Sequence, residues 1–179
     1  MTRTMVLGLL KANGPMSGYE IQQMMESSQT DLWAYVKPAS IYHALKRLQE
    51  EGKVVLEKVE KTGMRTKSIF KITQDGVLEL SRLLKTSFSN SSVMFPASLY
   101  TALTFMENLE EDQIVEALEE QKTQTLKVYA SMKSGYEKKR NVPGEITPKI
   151  DVIFHNIYDQ CELQLKCIDE ILGILGRGV

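Results

Sequence analysis

The stretch Lys37 to Gly52, KPASIYHALKRLQEEG, constrains the fold most, because it carries a helix with its own start and stop and the period of the sequence changes directly after it. Pro38 suits the first helical turn, where a missing N–H costs no hydrogen bond. Gly52 suits the left-handed position just past a helix end. Ile41, Leu45 and Leu48 are spaced four and three apart and share one face, which Ala44 borders. Ala39, His43, Lys46 and Glu50 lie opposite, with Tyr42 and Arg47 on the flanks. One face can pack while the other presents cationic, aromatic and hydrogen-bonding groups suited to phosphates and base edges. Alone, the stretch describes an ordinary amphipathic surface helix, so its neighbours in the chain decide what it is for.

Upstream, Met5, Val6, Leu9 and Leu10 give a helical pattern over Thr4 to Lys11, which Asn13-Gly14-Pro15 stops. Ser17 caps a second helix and Glu20, three residues on, completes a capping box. Ile21, Met24 and Met25 form that helix's buried stripe. A polar break from Ser27 to Asp31 follows, and Leu32, Trp33 and Val36 lead into the central helix. Trp33 is read as a core residue packed on that helix, with ligand stacking as the alternative. After Gly52 the sequence becomes β-rich: Val54, Val55, Leu56 and Val59, then Ile69, Phe70 and Ile72. Lys61-Thr62-Gly63 marks the turn. A two-stranded hairpin is predicted from about Val54 to Thr73, with Lys58, Lys61, Arg65 and Lys67 near its tip, where a wing would meet a phosphate backbone. Thr73 then caps a helix through Lys85, with Val77, Leu80 and Leu84 inside.

Three helices and a hairpin in this order predict a winged helix-turn-helix, since propensity, patterning and turn chemistry agree. The segments YEI at Tyr19 to Ile21, SIYHALKRLQEEGKV at Ser40 to Val54 and RTKSIFKIT at Arg65 to Thr73, with Gly76, resemble the PadR family of bacterial transcriptional regulators. The resemblance covers residues 1 to about 88. The chain length and the long helical second half are similar to the family's longer branch, which includes the virulence-activator type. The resemblance implies a homodimeric DNA-binding regulator, usually a repressor, often released by a small molecule. It places Tyr42, Lys46 and Arg47 on the recognition helix and Lys67 on the wing. His43 departs from the family pattern, in which many members have proline there. With Ser40 and Arg65, these residues form the expected DNA-contact set.

Thr86 to Pro96 is Ser-rich and lacks periodicity until Val93, so it reads as a linker. The predicted organisation is a winged helix-turn-helix domain over residues 1–88, a linker over 89–97 and a helical dimerisation and effector domain over 98–179. The fold class is mainly α, of α+β type. A short apolar helix covers Ala97 to Leu109, with Leu99, Leu103, Phe105 and Met106. Phe95, Tyr100 and Phe105, with Trp33, are the candidate lining of an effector pocket; core packing is the competing reading. A long helix over Glu110 to Arg140 has acids at its start and bases at its end, both matching the helix dipole. The last helix, about Pro148 to Leu175, carries a heptad seam of Ile150, Phe154, Ile157, Cys161, Gln164, Ile168, Ile171 and Leu175. All but the polar Gln164 and the terminal Leu175 are expected to serve dimerisation, closing partly against the preceding helix and partly against a second copy.

Charge divides along the chain. Residues 1–88 hold 13 Lys and Arg against 9 Asp and Glu, and residues 89–179 hold 9 against 14. A basic front and an acidic back fit a nucleic-acid module joined to an assembly module. Cys161 and Cys167 fit no metal or redox spacing and are expected to be reduced, in a cytoplasmic protein. No apolar run reaches membrane-spanning length. The two histidines, His43 and His155, are far apart, and no phosphate loop, dinucleotide fingerprint or zinc spacing is present. The expected protein is therefore not an enzyme and needs no cofactor. Its expected partners are double-stranded DNA, a second copy of itself and a small aromatic effector. The alternative function is a winged-helix module that binds a partner protein instead of an operator.

Overall fold

The structure, a computed structural model, describes residues 1–28, 30–34, 36–62 and 65–176; the side chains of Asp31, Thr62 and Arg65 lie outside the described set. The chain divides into two units, Met1–Val93 and Met94–Val179.

The first unit runs α1 (Thr2–Asn13), β1 (Met16–Ser17), α2 (Gly18–Ser27), α3 (Thr30–Trp33), α4 (Pro38–Glu50), β2 (Val54–Thr62), β3 (Arg65–Ile72) and α5 (Gln74–Ser89). The helical stripes read from the sequence meet in one core. Val6, Leu7 and Leu10 of α1 pack with Ile21 and Met25 of α2, Ile41, Leu45 and Leu48 of α4, Val54 and Leu80. β2 and β3 form the expected hairpin, with Val54 opposite Ile72 and a register shift between Leu56 and Lys58. The strand order is β1-β3-β2, because Met16 and Ser17 add a short antiparallel strand opposite Phe70 and Ile69.

Both helix caps flanking the hairpin carry structural weight. Ser17 caps α2 in the predicted capping box, with Glu20 accepting from the Ser17 backbone N–H. Thr73 Oγ1 accepts from Gly76 N at 3.0 Å and donates to Gly52 O at 2.8 Å, which ties the start of α5 to the end of α4. Arg3 on α1 reaches both Glu51, just past α4, and Glu79 on α5. The core omits three residues expected inside. Met24, Leu84 and Trp33 are each 38–42% exposed. Trp33 ends the short α3 and its indole N–H donates to Ser28 O at 3.0 Å, which keeps the ring edge at the surface.

The second unit holds α6 (Ala97–Thr104), a 3-10 turn (Met106–Asn108), α7 (Glu111–Arg140) and α8 (Pro148–Ile174). α7 and α8 run antiparallel, since Tyr136 bonds Asp151, Tyr129 bonds Glu162 and Lys122 bonds Asp169 in opposite chain order. Leu118, Ile168, Ile171 and Leu172 form the centre of this unit, with Leu99 and Leu103 of α6 against them. Farther along, Tyr136 packs on Phe154 with ring centroids 5.2 Å apart and Tyr129 on Tyr158 at 5.6 Å, both edge to face, a favourable aromatic geometry. Burial pushes the Tyr158 phenol up from its ordinary value.

Candidate nucleic-acid interface

α4 owes its place to two opposed faces. Ile41, Leu45 and Leu48 are at most 2% exposed, which fixes the helix on the core. Tyr42, His43, Lys46 and Arg47 are exposed. Helical spacing puts Tyr42 and Lys46 on one flank and Ser40 and Arg47 on the other. Ser40 does not project outward. It is half-buried, its hydroxyl donates to Lys37 O at 2.6 Å, and it lies 3.3 Å from Thr2 Oγ1 on α1. Lys37 O also accepts from the Ser40 backbone N–H at 2.9 Å, so the serine hydroxyl bonds back locally to a carbonyl of its own first turn.

The Tyr42 flank faces a groove of about 650 Å³, bounded by Ser17 of β1, Gly18 and Tyr19 of α2, Tyr42 of α4, and Thr66, Lys67, Ser68 and Phe70 of β3. Gly18 permits the close approach that builds it: a Cβ there would lie 2.7 Å from Tyr42 Cε1. The structure thus brings Tyr42 and Lys67 to one concavity. Tyr19, Thr66 and Ser68 join them; all three lie in the segments YEI and RTKSIFKIT that carry the family resemblance, but none was singled out as a contact residue. The Arg65 side chain and the turn residue Gly63 lie outside the described residues.

The wing lysines are less available than their number suggests. Lys67 Nζ donates to Glu20 Oε1 at 2.9 Å, Lys58 pairs with Glu60 at 2.7 Å and Lys71 with Glu57 at 3.1 Å. Lys61 is exposed and makes no ion pair among the described residues. Three hydrogen bonds, from the Ser17 amide, Lys67 and the Ser17 hydroxyl, pull the Glu20 carboxyl down to about 2.

The residues expected to line an effector pocket fall in both units. Trp33 belongs to the first unit, while Phe95, Tyr100 and Phe105 are exposed in the second. A separate apolar cavity of about 300 Å³ lies in the second unit, between α6, the 3-10 turn, α7 and Ile171 of α8. Of the residues expected to pair two subunits, Cys161, Ile168 and Ile171 are buried inside the single chain, and Ile150, Phe154 and Ile157 are half-buried. The physical reason is that α7 lies along the heptad seam and covers it. The apolar residues that α8 exposes include Ile153 and, each at least 64% exposed, Val152, Leu163 and Ile174. Among the described residues, no three His, Cys, Asp or Glu side chains converge to hold a metal, and no helix is long and apolar enough to cross a membrane.

A helical core, a three-stranded wing sheet and an exposed helix face beside that wing define a winged-helix unit of the DNA-reading kind. Residues 6–82 match the transcriptional regulator PadR-like family. That segment is therefore similar to the winged-helix domain of PadR-like proteins, a family of transcriptional regulators. No curated protein matches the sequence significantly. Among solved structures, smu.1604c from Streptococcus mutans UA159 is similar at 24% identity and a TM-score of 0.75, over 96% of this chain and 98% of that one. Bacillus subtilis PadR, in complex with operator DNA, is similar at 20% identity and a TM-score of 0.74, over 97% and 98%. The same protein is also known in complex with p-coumaric acid. The Vibrio cholerae virulence activator AphA is similar at 17% identity and a TM-score of 0.69, over 98% of both chains. At these identities the likeness is one of fold, and it extends through the helical second unit.

Proposed function

We propose that the chain is a homodimeric repressor that binds an inverted-repeat operator in the cytoplasm and is released by a small aromatic molecule. The observation that carries this reading is the exposed trio Tyr42, His43 and Lys46, held on a helix whose other face is locked into the core and whose flank borders the wing. Each subunit lays α4 in a major groove, where Lys46 and His43 face base edges and Tyr42 and the wing face phosphates. Arg47, on the opposite flank, reaches the backbone on the far side of that groove, and Arg65 with Lys61 extends the wing. A two-fold dimer calls for half-sites about 34–36 Å apart, or a multiple of that spacing.

The dimer forms through the face of α8 that α7 leaves uncovered. Val152, Leu163 and Ile174 follow one another at eleven-residue intervals, which keeps them nearly in line along a helix. The effector acts by binding better to a dimer whose reading helices have the wrong separation. The p-coumaric acid complex of the B. subtilis neighbour supports an aromatic effector. The cavity beneath α6, apolar apart from Ser98 and Gln121, offers a volume of the right order for one. Selection of bound genomic fragments tests the reading. An enriched inverted repeat, depleted when an aromatic acid is added, is the expected result. Enrichment of no sequence contradicts it.

A further inference from the structure

In the free protein, the partner of Lys67 is a carboxylate that cannot easily step aside. Glu20 Oε1 accepts from Lys67 Nζ at 2.9 Å, while Oε2 accepts from Ser17 N at 2.9 Å and Ser17 Oγ at 2.8 Å. Swinging Glu20 away would open the capping box that starts α2. With its titration drawn down to about 2, the group stays charged wherever the protein works. Lys67 and Ser17 both border the groove that also holds Tyr42, so the carboxylate stands where a backbone phosphate would approach Lys67. The pair is about 40% exposed on each side, so it adds little to folding. Its effect falls on what enters the groove.

Non-specific binding to DNA is almost wholly phosphate attraction, whereas an operator complex adds base contacts. A fixed negative charge beside the phosphate path therefore removes a larger share of the first than of the second. We propose that Glu20 is a specificity-determining residue, which occupies Lys67 in the free protein and disfavours non-operator DNA. This rests on the DNA-binding reading above. At non-specific sites Lys67 stays with Glu20. At the operator, the fit of α4 brings a phosphate close enough to draw the lysine across.

The test is fluorescence anisotropy of the full-length protein with a random-sequence duplex and an operator duplex, at two salt concentrations. Glu20→Gln keeps the capping box, because glutamine serves at that position, and a thermal melt reports the fold. The variant is expected to bind random duplex about three- to tenfold tighter, with a salt slope steeper by about 0.9, the signature of one more phosphate contact. Operator affinity rises less, so discrimination falls. Lys67→Ala alone leaves the Glu20 carboxylate uncompensated and should weaken random-duplex binding, and it should abolish the gain when added to Glu20→Gln. Equal binding of random duplex by wild type and Glu20→Gln overturns the assignment, and so does a gain that survives Lys67→Ala. Wild-type protein that binds neither duplex overturns the DNA-binding reading and this assignment with it.

Discussion

Gly76 and Gly18 are each required by a contact, and the contacts predict different losses. A Cβ on Gly76 would lie 2.1 Å from Lys53 O and 2.7 Å from Ile72 Cγ1, against backbone that joins the hairpin to α5. Gly76→Ala is expected to cost about 3 kcal/mol, the upper part of the range for overpacking, as a lowered urea midpoint of the first unit. Gly18→Ala meets the ring of Tyr42, which is half exposed and can turn aside. That variant should keep most of its stability but lose roughly tenfold in DNA affinity, about one good contact, through a displaced Tyr42. The Glu20 carboxyl adds a pH dependence. Its folded value, about 2, lies below its ordinary 4.5, so its stabilising share is present above about 4.5 and fades as pH falls towards 2. Glu20→Gln should remove that acid-side loss from a series of melting midpoints against pH. The Ser17–Glu20 box was legible in the sequence because its partners are three residues apart. The Glu20–Lys67 pair was not, since nothing local marks two residues 47 apart as partners. The Ser40 bond to Lys37 O was not legible either: helical spacing gives a direction and says nothing of the bonds a hydroxyl makes within its own turn.

Among the elements, α8 separates what periodicity can tell from what it cannot. The heptad seam marks which side chains leave water, and Cys161, Ile168 and Ile171 do. It does not say which helix covers them, because a seam packs equally well against its own chain or another. The contacts of Tyr136, Tyr129 and Lys122 across to α8 assign the cover to α7. Ile168→Ala should therefore destabilise the second unit by about 2–5 kcal/mol, as truncations at fully buried sites do, readable in denaturant unfolding. Leu163→Asp lies on the outer face and should leave helix content intact while shifting the protein to monomers in sedimentation equilibrium. A dimer unaffected by that change would move the interface elsewhere. The main helices and the hairpin were readable from caps and period, though α5 runs four residues past Lys85 to Ser89 and α6 ends at Thr104, five short of Leu109. β1 was not, because two residues are too few to show alternation, and α3 was hidden in a polar break. Arg3 was also silent in the sequence. Its bonds to Glu51 and Glu79 join α1 to the end of α4 and to α5.

For the whole molecule, charge has to be counted after pairing. The first 88 residues carry a cationic excess, but Lys58, Lys67 and Lys71 are each matched by a glutamate. Among the described residues, Lys46 and Arg47 on α4 and Lys61 on the wing remain as exposed cations near the proposed DNA path. Composition showed the excess, and the ion pairs show where it remains available. The second unit contributes an antiparallel α7–α8 pair with its own apolar centre, and the proposed docking of a second copy rests on it. The central claim is that α4 reads DNA through its exposed face. A titration of wild type and Lys46→Ala against a duplex from the protein's own promoter, at two salt concentrations, tests it most directly. Binding that weakens steeply with salt is predicted, with Lys46→Ala about tenfold weaker and its salt slope shallower by about one. A folded protein that binds the duplex no differently with alanine at position 46, or binds no promoter duplex at all, would contradict the account.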